Sequence, residues 1–316
     1  MSKERLVFIL ELNKMNMKRV FVFSLLIFIS VLIYAQSLKP YVAGLKSDKS
    51  ISALRTMVQE KFADNNIKII GEYQPANDKN RWLIIFNCDE IEKSVELKGG
   101  LTGFALALRL AITQENGFSY ISYTNPEYWG AAYFRNDFKS AQKNYQLIAK
   151  KLEEIMLAFG SDKLSYFGSE DGLDMKELKK YRYMFGMPEF DDTRVIAKFS
   201  SYDEAVKAID KKFKGESLRN IEKVYEVERK DQKLKLYGVA LSGKKGESYF
   251  MSIIDINTPK HTAFLPYEFL VVNNEVHMLH GRFRIALSFP DLSMGTFTKI
   301  MSTPGDIENQ IKQIVE

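Results

Sequence analysis

Apolar and polar residues alternate most legibly over residues 264–292, FLPYEFLVVNNEVHMLHGRFRIALSFPDL. Tyr267, Phe269 and Val271 share one parity, and Asn273-Asn274 follows. Asn tolerates the left-handed backbone that a two-residue hairpin needs, so the pattern predicts a β-hairpin. A long strand is expected after the turn. In it Val276 and Met278 hold one parity, whereas Phe283, Ile285, Leu287 and Phe289 hold the other. A bulge near His280-Gly281 would restore a single apolar face. A weaker version of the whole pattern runs over residues 104–129, which suggests two copies of one domain.

The rest of the chain is read the same way twice. Ser50 caps a helix whose apolar stripe is Ile51, Leu54, Val58 and Phe62; Ser201 and Glu204 form a capping box before Tyr202, Ala205, Ile209 and Phe213. A short strand precedes each helix (41–45 and 195–199). Two strands follow it, 67–73 with 82–86 in the first half and 223–227 with 234–241 in the second. The segment 90–97 is expected to be helical, and 247–255 is ambiguous. Helical sequence closes each half, over 138–159 with Tyr145, Ile148 and Leu152 on one face, and from Thr303-Pro304 onward. The expected fold class is α+β. Two similar domains, each an antiparallel sheet with helices on one face in β-α-β4-α order, span 36–159 and 194–316. A partly helical linker, 160–193, joins them, with its helix expected over 173–183.

Residues 1–35 read as an extension and an export signal. Lys18-Arg19 precede the apolar run 20–34, which ends at Ala35-Gln36. The run falls short of a membrane span, so cleavage near Ala35 is favoured over a retained anchor. The protein is thus expected in the periplasm, cell envelope or extracellular space, touching membrane only through its signal. That segment holds five basic residues against two acidic ones, and so most of the net charge of +5. The remainder is nearly neutral, which argues against a nucleic-acid partner. Cys88 is the sole cysteine, so no internal disulfide is available.

Several short features resemble a family of uncharacterised bacterial domains, domain of unknown function 302. They are the helix 201–213, Leu265-Pro266 opening the hairpin strand and Pro290 after the next strand, with Asn87-Cys88 and Asn125-Pro126 in the first half. The first half departs from the pattern with Ala105-Leu106 where Leu-Pro would stand. The resemblance implies a TATA-binding-protein-like α+β fold without DNA binding, and members often found as homodimers. A tandem chain would then be a monomeric pseudo-dimer or a homodimer. It supplies no catalytic residues.

Chemistry is sparsely signalled. The chain has three histidines, and His277 and His280 would fall on opposite faces of a strand, a poor arrangement for one metal. No metal and no cofactor is expected. The bulge would leave Arg282 and Arg284 together on the outer face. With His280 and Glu268 they form the candidate ligand site, since paired guanidiniums can grip a carboxylate or phosphate. The plainer alternative has these arginines solvated, or paired with Glu268 or Asp291. The favoured function is an exported, non-enzymatic domain protein binding a small apolar or anionic ligand or a partner. The alternatives are an enzyme acting on a small anionic substrate in the inter-domain cleft, and a structural envelope component.

Overall fold

Ser50 and Ser201 both cap helices as their positions predict. Each hydroxyl accepts from a backbone N–H three residues on, that of Ala53 and of Glu204, at 3.2 Å. The Glu204 carboxylate reaches back to the backbone of Ser200 rather than of Ser201. The computed structural model describes residues 37–215 and 218–316, so the expected signal segment and its cleavage site lie outside the described residues.

The chain begins with β1 (Tyr41–Ser47), α1 (Ile51–Asp64), β2 (Lys68–Tyr73), β3 (Arg81–Asn87) and α2 (Asp89–Glu96). Then come β4 (Leu108–Glu115), β5 (Phe118–Thr124), α3 (Pro126–Phe134) and the long α4 (Phe138–Ala158). The linker contributes β6 (Ser165–Phe167) and only a short helix, α5 (Met175–Leu178). The second half runs β7 (Arg194–Lys198), α6 (Tyr202–Lys214), β8 (Ile221–Arg229), β9 (Leu234–Leu241), α7 (Glu247–Ile254), β10 (Tyr267–Val272) and β11 (Glu275–Met278). It closes with α8 (Gly281–Ser288), α9 (Met294–Lys299) and α10 (Thr303–Val315). The architecture is α+β.

Both sheets are antiparallel. The first has the order β2-β3-β4-β5-β1-β6 and the second β8-β9-β10-β11-β7. Apart from β6, which adds to the edge of the first sheet, the order of the two is the same. So is the placement of irregularities. Both β2 and β8 bulge within their pairing with β3 and β9, between Ile69 and Gly71 and between Lys223 and Tyr225. These two edge strands meet. A Cβ on Gly71 would lie 2.6 Å from the Val224 carbonyl and 2.8 Å from Tyr225 Cβ, so only glycine permits this approach. Residues 37–316 form one compact unit with a continuous core.

The expected long strand after Asn273-Asn274 is a short strand and a helix. β11 stops at Met278, and His280 caps α8, its Nδ1 accepting from the Arg282 N–H at 3.2 Å. Gly281 lets the helix start press on Pro304, whose Cβ would sit 2.9 Å from any added Cβ. From Phe283 to Ser288 every residue is buried. A helix buried on all sides has no polar stripe, so its apolar residues can fall on alternate positions and imitate a strand.

Candidate functional site

β4 and β10 carry charges into the core from opposite sheets. Arg109, second in β4, and Glu268, second in β10, form an ion pair, and each is at most 2% exposed. The other Glu268 oxygen accepts from Arg284 Nη1 at 2.7 Å, and the Tyr225 hydroxyl donates to the same carboxylate. Arg284 also donates to the carbonyls of Phe264 (2.8 Å) and Pro266. Burial disfavours the Glu268 charge, but Arg109, Arg284 and Tyr225 outweigh it and hold the carboxyl below its ordinary range. Burial likewise works against the Arg109 charge, and Glu268 reverses the effect and raises its pKa. The cluster is a pin between the halves, closed to solvent.

The structure therefore separates the four candidate residues. Glu268 and Arg284 meet inside the core. His280 serves as a helix cap, and burial together with Arg194 and Arg282 lowers its pKa. Arg282 is exposed on the outside of α8. The anion-gripping pair of Arg282 and Arg284 rested on their sharing a strand face; on a helix, two residues apart, they point in different directions. His277 is held by Thr193, Nδ1 to Oγ1 2.9 Å. Cys88 is buried, and burial pushes its thiol up to about 12. Among the described residues no group of three or more His, Cys, Asp or Glu side chains gathers to hold a metal ion.

A cleft of about 570 Å³ opens where the N-terminal segment, the linker and the second half come together. His261 forms part of its wall. Its backbone N–H donates to Asp255 Oδ1 at 2.6 Å, and Asp255 is in turn ion-paired with Arg81 of β3. The first half thus positions the loop that carries the imidazole. The ring packs between Tyr41 and Phe289, with centroids 4.9 and 4.8 Å away, and against Phe167. Its Nδ1 is buried without a partner. Burial lowers the His261 pKa; Asp255, Asp291 and Glu115 oppose that shift without cancelling it, and Lys260 adds to it.

Asp291 and Lys39, the charged groups of the cleft, are already engaged with the scaffold. Asp291 accepts from the Ser169 hydroxyl (3.0 Å) and the Glu170 N–H (2.6 Å), and Lys39 Nζ donates to the Glu170 carbonyl (2.8 Å). Exposed Ile256 and Tyr166 add apolar surface to the rim. Sequence reasoning did not single out this site. Its residues come from distant, irregular segments, and only the histidine in the Asn257-Thr-Pro-Lys-His261 loop is a chemical signal.

No protein-family model matches the chain, and no curated protein matches it. Among solved structures, the chain is similar to the uncharacterized conserved protein DUF302 from Bacillus stearothermophilus. The identity is 16%, over 35% of this chain and 92% of that one, with a TM-score of 0.31.

Proposed function

We propose that this is an exported, non-enzymatic protein that binds a small ligand in the cleft lined by His261. The observation that carries the reading is the cleft itself. At about 570 Å³ it falls within the roughly 300–1,000 Å³ usual for small-molecule pockets. Its walls mix aromatic and aliphatic side chains, among them Phe167, Phe289 and Ile256, with polar ones in about equal number, among them Asn257, His261 and Asp291. The ligand that fits is a molecule with a flat or apolar body, stacked among Phe167, Phe289 and Ile256, and one hydrogen-bonding edge turned to His261. Binding is favoured over catalysis because Asp291 and Lys39 are tied to backbone and hydroxyl groups, which makes them shape the cleft rather than exchange protons. One observation favours the enzymatic alternative: burial favours the neutral form of the His261 imidazole at the cleft wall, and a neutral imidazole can act as a base.

We further infer that the chain is a tandem duplication acting as a monomeric pseudo-dimer, a reading drawn from strand order and register. Ile85 pairs with Arg109 as Gly238 pairs with Glu268, and α3 and α8 each begin just beyond the strand that follows. The contact of β2 with β8 stands where a dimer of single domains would have its interface.

Native mass spectrometry of the protein recovered from the cell envelope tests the binding role. A small-molecule adduct on the wild type should be lost from Asn257→Trp, which places an indole in the cleft from its exposed rim. An adduct retained by that variant would move the ligand elsewhere.

A further inference from the structure

Arg282 is the exposed residue of an otherwise buried helix, and beside it lies a second pocket of different character. This pocket measures about 190 Å³. Met184, Met187, Met294 and Met301 line it together with Phe297 and Phe289, the last being a wall shared with the His261 cleft. No acidic residue lines it, and Arg282 is its one charged group. Among the described residues Arg282 takes part in no ion pair, in contrast to Arg284 two positions on. Three of the methionines remain open to solvent, at 45%, 52% and 55% exposure for Met184, Met294 and Met301. Apolar surface of this kind, gathered rather than scattered, marks an interaction site.

We propose that this pocket holds the alkyl chain of an unbranched carboxylate, with Arg282 pairing to the carboxylate head. The volume corresponds to about six waters at roughly 30 Å³ each, room for part of a single alkyl chain, with the remainder lying along the exposed methionines. Thioether side chains are flexible and polarisable, so they adapt to a chain without a fixed shape. Arg presents two parallel N–H donors that match a carboxylate, and a lone cation at the mouth of an acid-free apolar pocket selects an anionic head over a neutral one. The two pockets share Phe289 and Leu292, but neither His261 nor Asn257 lines this one, so different variants test the two proposals.

Calorimetric titration of the full chain with decanoate, decanol and acetate tests the proposal. The wild type should bind decanoate at least tenfold more tightly than decanol, and acetate undetectably. Arg282→Gln should reduce decanoate to the level of decanol and leave decanol unchanged. Met294→Asp, at an exposed position, should weaken both chain ligands and leave the unfolding midpoint unchanged. Equal affinity of Arg282→Gln and wild type for decanoate would overturn the proposal, as would no binding of decanoate at all. A concentration-dependent dimer that Met294→Asp dissolves, in a chain that ignores decanoate, would assign the pocket to a second copy and also overturn it.

Discussion

Arg109 and Glu268 occupy matching positions in the two sheets, second in β4 and second in β10, and they pair with each other. Opposite charges at equivalent sites make the contact between the halves specific, because two copies of either residue would repel there. The pair is fully enclosed. Its favourable Coulomb energy is offset by desolvation, so it is weak evidence of net stability but costly to break from one side.

Removing one partner should therefore be severe. Glu268→Gln leaves Arg109 and Arg284 facing each other without an anion, and Arg109→Met leaves Glu268 with one guanidinium. Each is expected to destabilise the protein by about 3–5 kcal/mol in a urea titration. The transition should remain single, because the core is continuous across both sheets. Two separated transitions would show that the halves unfold independently.

Arg284 and Ile285 are both core residues of α8, at 3% and 1% exposure. Ile285→Ala should cost about 2–5 kcal/mol through the cavity it leaves. Arg284→Ala should cost a similar amount, about 3–5 kcal/mol, because Glu268 and the carbonyls of Phe264 and Pro266 lose a donor. On an exposed strand face Arg284 would have contributed at most about 1 kcal/mol. A change of that small size would contradict its place in the cluster.

Glu247 offers a pH test with a defined sign. Burial pushes its carboxyl up to about 7, although the Ala76 and Leu241 N–H groups and the Tyr73 hydroxyl donate to it. Its folded pKa exceeds the ordinary 4.5, so between pH 4.5 and 7 the folded state holds more protons than the unfolded one. The contribution of Glu247 is present below about 4.5 and lost as pH rises through 7. His261 acts in the other direction: its lowered pKa gives stability that is complete above 6.5 and lost as pH falls below it. Glu247→Gln should isolate the first effect. Its stability relative to wild type should rise by about 3 kcal/mol between pH 4.5 and 7.5, at about 1.36 kcal/mol per pKa unit. A pH-independent difference between the two proteins would mean that Glu247 stays ionised.

The elements with one polar face were legible in the sequence, and those buried all round were not. Ser50, Leu54, Val58 and Phe62 mark α1 because that helix has a solvent side. α8 has almost none, and its start carries no proline. In the first half the matching helix α3 begins with Asn125-Pro126, a helix-start signal that the second half replaces with His280-Gly281. Of the two turn residues expected to be left-handed, Asn273 takes a φ of 53° and Asn274 has no positive φ. The pairing of Glu268 with Arg284 could be listed from the sequence as one option. Its third member, Arg109, could not, because nothing local indicates that β4 faces β10. His261 was visible as a histidine, but its aromatic surroundings come from Tyr41, Phe167 and Phe289, far apart in the chain.

The ring signals of His261, followed by NMR during titration with aromatic fragments, test the binding role of the cleft most directly. The chain has three histidines, so His→Gln variants assign every ring signal. Fragments that bind should shift the His261 signals while His277 stays still, and their affinity should fall at least tenfold in Asn257→Trp. Fragments that bind without moving His261, or that bind Asn257→Trp as well as they bind the wild type, would contradict the account.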